Sequence, residues 1–95
     1  MNKVKIIDAA REVYWASTYQ GVFEVDGTAV EFCFHENSNA VEFYVFIEGE
    51  GWVEMYDMDD DSPEAVVYNM CLEMNPEEWG ASGEEVEFEA GEDWI

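Results

Sequence analysis

Carboxylates are the side chains most able to do chemistry in this chain of 95 residues, and they recur in short alternating runs. Glu31, Glu42 and Glu54 sit within stretches that alternate with apolar residues. Asp57, Asp59, Asp60 and Asp61 form one acidic loop, and Glu85, Glu87 and Glu89 alternate with Val86 and Phe88. Side chains two apart on a strand are separated by roughly 6.6 Å. Successive phosphates of a DNA strand rise roughly 3.4 Å along the axis, with further displacement around it, so the two charge spacings are of comparable scale. Rows of carboxylates on a rigid sheet can therefore occupy positions that a basic groove reserves for phosphates. A preorganised array also loses less entropy on docking than an acidic tail would. These carboxylates are the candidate partner-binding residues.

Other chemistry finds weaker support. Asp57, Asp59 and Asp61 fit the first, third and fifth positions of a calcium-binding EF-hand loop, but Ser62 stands where that loop needs glycine and Tyr68 where it needs a bidentate glutamate. His35 is the single histidine, and Cys33 lies two residues before it on the same strand face. A Cys/His nucleophile would need a group to orient the imidazole and a donor pocket for the oxyanion, and the sequence offers neither. There is no glycine-rich phosphate loop and no zinc spacing. The chain is expected to be no enzyme, to hold no cofactor and no metal, and to keep Cys33 and Cys71 as free thiols in apolar surroundings.

Charge sharpens the picture. The chain carries 24 acidic and 3 basic side chains, for a formal net charge of −21. Lys3, Lys5 and Arg11 all fall in the first eleven positions, so residues 12 to 95 contain no Lys or Arg. Such a field repels DNA, RNA and anionic lipid, and argues against direct contact with any of them. A hydrophobic content of 48% and an aromatic content of 16% are nonetheless too rich for a disordered tail. Halophilic adaptation would also enrich acids, yet here 17 Glu outnumber 7 Asp and large aromatics are kept. No apolar run approaches the ~20 residues that span a bilayer, and no secretory signal is evident, so a cytoplasmic protein is expected, in the host cytoplasm if phage-encoded.

The elements that must position these groups follow from periodicity. Ile6, Ala10, Val13, Tyr14 and Ser17 recur at three- and four-residue steps, which predicts an amphipathic helix over Asn2 to Tyr19, ended by Gly21. The period then changes to two. Val22–Val25 and Thr28–His35 read as strands joined by a type I′ turn at Asp26-Gly27, followed by strands at Ala40–Glu48 and Trp52–Asp57. Ser62-Pro63-Glu64 has the chemistry of a helix start, and a second helix is expected to Met74. Asn75-Pro76 begins a single turn ending near Trp79, and Glu84–Ala90 alternates as a short final strand. The expectation is one acidic domain over residues 1–95, of the α+β class: a four- to five-stranded antiparallel sheet packed by two helices, in the order α-β-β-β-β-α-(β).

Tyr44, Phe46, Trp52 and Tyr56 share strand faces with the carboxylates. Either a helix covers them as core, or they form an open patch that marks a protein interface or a homodimer seam. In its shortness, strong negative charge and near absence of basic residues the chain resembles the small acidic DNA-mimic inhibitors of phages and mobile elements, of the anti-restriction and anti-CRISPR type. The resemblance covers composition and the Glu-x-Glu alternation and matches no motif of that group. It implies a DNA mimic that blocks the Arg- and Lys-lined groove of a nucleic-acid-binding protein, first among these a CRISPR or restriction effector of the host. Two alternatives stay open: an immunity protein neutralising a basic nuclease toxin, and a halophilic or acidic interaction module.

Overall fold

The structure, a computed structural model, describes residues 2–13, 18–36, 41–56, 58–59 and 61–88. Alternation of apolar and polar side chains sets its main period and produces the strands β1 (Asn2–Glu12), β2 (Thr18–Val25), β3 (Thr28–Glu36), β4 (Val41–Ile47), β5 (Gly51–Glu54) and β6 (Glu85–Phe88). All pair antiparallel in one sheet of order β5-β4-β3-β2-β1-β6. Between β5 and β6 come the helix α1 (Pro63–Glu73) and a 3-10 turn (Pro76–Glu78). The expectation of an α+β sheet packed by two helices is thereby corrected. The domain is mostly β, with one α-helix among the described residues, and its first element is a strand between β2 and β6.

Two register shifts in β1 explain how a strand came to read as a helix. Val4 and Ile6 point into the core while Lys3 and Lys5 point away, a plain period of two. Ile7 is then an extra residue between the pairs Ile6↔Phe23 and Asp8↔Val22, and a second shift falls between Asp8 and Arg11. Each bulge adds a residue to the count between inward positions. Ile6, the half-buried Ala9 and Ala10, and Val13 therefore recur at steps of three or four, which imitates helical spacing. The bulged backbone also runs tight against β2. A Cβ on Gly21 would lie 2.8 Å from the Cα of Ala10, so glycine serves here to admit a neighbouring backbone rather than to end a helix.

One face of the sheet is the core. Val4, Ile6, Phe23, Val25, Val30, Phe32, Phe34, Phe43 and Val45 are buried there beneath Val66, Val67, Met70 and Cys71 of α1. The helix starts where sequence chemistry puts it: Ser62 Oγ accepts from the Ala65 amide at 3.2 Å, Pro63 opens the first turn, and Glu64 lies near the positive end of the dipole. Asn75-Pro76 stops it, since the residue before proline is driven into extended geometry. The chain then folds Trp79 into the core, edge-on to Tyr19 and Phe34, with its indole N–H donating to the Met74 carbonyl at 3.1 Å. The β2–β3 hairpin turns at Asp26 and Gly27, both at positive φ as a two-residue turn requires. Among the described residues no helix is long and apolar enough to cross a membrane.

Candidate functional site

The face opposite α1 carries the side chains of interest. Cross-strand register fixes its rows: Thr18, His35 and Glu42 stand side by side on β2, β3 and β4, then Gln20, Cys33, Tyr44 and Glu54 across β2 to β5, then Val22 and Glu31 beside Phe46 and Trp52. Phe46 is 43% exposed, Trp52 41% and Tyr56 75%, so among the described residues no helix covers this half of the sheet. Of the two possibilities for the aromatic residues, the open patch is the one observed. Phe46 and Trp52 meet edge to face with ring centres 5.5 Å apart. Cys33 is small and lies in a row between the longer Gln20 and Tyr44, which leaves a shallow hollow of about 240 Å³ lined by Gln20, Cys33, Tyr44 and Trp52.

Two phenols hold two carboxylates. Tyr44 donates its hydroxyl to Glu42 Oε1 at 2.6 Å, and Tyr56 donates to Glu54 Oε1 at 2.7 Å. Each pair is two residues apart on one face, which brings the groups together without distorting the strand. The hydrogen bond to Glu42, then partial desolvation and the charges of Glu42 and Glu54, push the Tyr44 phenol up to about 12. Tyr56 is raised as well, first by its bond to Glu54 and then by that carboxylate's charge. Both phenols thus stay protonated and keep donating through the whole physiological range.

The candidate acids fall into three groups. Glu31, Glu42 and Glu54 lie half-buried on the open face. Asp59 and Asp61 are exposed in the loop that leaves the β5 edge, where the Asp59 carbonyl accepts from Ser62 Oγ at 2.8 Å and from the Ser62 amide. Glu85 and Glu87 project from β6, at the other edge of the sheet, roughly 24 Å away at the usual strand spacing. Asp57, Asp60 and Glu89 lie outside the described residues. Ser62, considered as a calcium-loop position, acts as the N-cap of α1. Thr18 Oγ1 and His35 Nδ1 hydrogen-bond at 2.6 Å, which ties the histidine to the neighbouring strand. The thiols of Cys33 and Cys71 are free and on opposite faces of the sheet; burial pushes both up, Cys71 well above its ordinary value.

What the sequence did not reveal is where the cations go. Lys5 faces Glu24 on β2 and Glu85 on β6, and Lys3 faces Glu87. Arg11 pairs with Asp8 at 3.6 Å. All three positive side chains thus sit on one strand, the lysines opposite carboxylates of β2 and β6 and Arg11 beside Asp8, while β3, β4 and β5 contain no Lys or Arg. The alternation Lys3-Val4-Lys5-Ile6 carried that signal, masked by the bulges that follow. The chain matches no protein-family model, no curated protein and no solved structure.

Proposed function

We propose that this protein binds the basic nucleic-acid groove of another protein and keeps nucleic acid out of it, with the β3–β5 half of the open face as its contact surface. The observation that carries this reading is the separation of the open-face carboxylates of β3–β5 from the cations. Glu31, Glu42 and Glu54 stand among exposed aromatic rings on strands without a Lys or Arg, while the cations are confined to β1. Carboxylates fixed on strands can pair with groove Arg and Lys side chains in place of phosphates, and exposed rings can take the contacts that bases make with a binding groove. Asp59 and Asp61 add exposed carboxylates in the loop between β5 and α1. Binding is reversible and competitive, with association hastened by the field. Targets to try first are CRISPR and restriction effectors in the cytoplasm of a host.

The test is displacement. The protein is titrated into complexes of such effectors with a fluorescent oligonucleotide, at salt concentrations between about 50 and 200 mM. The expected result is loss of the oligonucleotide with an inhibition constant that weakens by orders of magnitude as salt rises. Glu42→Gln with Glu54→Gln should weaken displacement at least tenfold, as loss of two charge-assisted contacts requires. Formation of a ternary complex with the oligonucleotide still bound would refute the reading.

A further inference from the structure

We infer that the hollow on the open face is an arginine pocket, which receives one guanidinium of the basic partner between Trp52 and Tyr44 with Glu42 and Glu54 at its margin. This deepens the proposed function and rests on it for the identity of the partner as a basic protein. The volume of about 240 Å³ is below the ~300 Å³ at which small-molecule pockets begin, and suits a single side chain. Its walls are an indole and a phenol, its floor is the Cys33 thiol, and Gln20 supplies a neutral amide. A lysine ammonium is compact and strongly hydrated and gains little from such walls. A guanidinium is planar, weakly hydrated and stacks on aromatic faces while its edge binds carboxylates.

Charge complementarity singles out the same occupant. Glu54 is the cross-strand neighbour of Tyr44, and Glu42 accepts the Tyr44 hydroxyl, so two carboxylates flank one ring of the hollow. Each is oriented by a phenol through one oxygen, and the second oxygen of each stays available as an acceptor. Buried Trp, Tyr and Arg are also the residue types that concentrate energy in protein interfaces.

The experiment uses the intact chain and two probes, a short oligoarginine peptide and an oligolysine peptide of equal length and charge. We expect the arginine peptide to bind about tenfold more tightly and to keep that advantage at raised salt, because stacking is not screened. Trp52→Leu and Cys33→Leu, the second of which fills the hollow, should abolish the advantage and leave lysine-peptide binding unchanged. In the unaltered protein the arginine peptide should slow alkylation of Cys33, which needs no variant to fold. Equal affinity for both peptides, or alkylation unaffected by the arginine peptide, would overturn the arginine pocket. If salt-sensitive displacement of nucleic acid persisted alongside that result, the proposed function would stand without it. An arginine preference with no displacement would sink the proposed function and leave the pocket.

Discussion

Tyr44 and Tyr56 show how single side chains prepare this face. An exposed glutamate samples many rotamers, and fixing one on binding costs on the order of 0.5–1.5 kcal/mol. A phenol that already holds the carboxylate lowers that cost before any partner arrives. The same bonds delay ionisation of the two tyrosines in alkali. Because the folded Tyr44 is raised to about 12, above the ordinary value of about 10, its contribution to stability is fully present below pH ~10 and is lost as pH rises through about 12. An absorbance titration of the phenolates should therefore show a late wave that shrinks in Tyr44→Phe and is lost when Tyr56→Phe is added. A single wave near the ordinary value for all tyrosines would mean that the bond to Glu42 does not persist in solution. At neutral pH the same substitution should change stability by less than about 1 kcal/mol, as loss of a partly exposed hydrogen bond does.

At the scale of elements, β1 is the part of the fold on which the rest depends. It joins β6 to the meander, with Lys5 opposite Glu24 and Glu85 on both neighbours and Lys3 opposite Glu87 on β6. Opposite charges facing one another across strands stabilise by roughly 0.2–1 kcal/mol a pair, and like charges destabilise similarly. Lys5→Glu would turn two attractive pairs, with Glu24 and Glu85, into two repulsive ones. We expect a loss of about 1–3 kcal/mol in urea unfolding at low salt, shrinking as salt is added. An unchanged midpoint would mean that the lysines are too solvated to matter. The cations are thus explained by assembly of the sheet.

Across the whole molecule, self-repulsion among 24 acidic groups, with only 3 basic ones to offset it, works against the folded state. Packing of α1 and Trp79 on one face of the sheet holds the domain together in spite of it. Salt shortens the screening length from roughly 10 Å at 0.1 M to 3 Å at 1 M, so Tm should climb with added sodium chloride. A Tm that is flat in salt would show that the carboxylates are too dispersed to strain the fold. A chain unfolded at low salt would instead point to halophilic adaptation.

Much of this was written in the order of residues. The period of two within Val22–Val25, Thr28–His35, Ala40–Glu48 and Trp52–Asp57, the alternation from Glu85 to Phe88, the Asp26-Gly27 turn and the Ser62-Pro63 helix start act through local preferences, and among the described residues strands, a turn and a helix lie at those positions. The total charge and the confinement of cations to the first eleven residues are likewise plain in the letters. Three features belonged to tertiary structure. Bulges hid the period of β1, because spacing along a strand does not say how many residues oppose its neighbour. Whether Tyr44, Phe46 and Trp52 would be covered depended on which face α1 chose. The hollow over Cys33 exists because distant strands bring one small residue between larger ones, a juxtaposition fixed by register across the sheet and by nothing nearby in the chain.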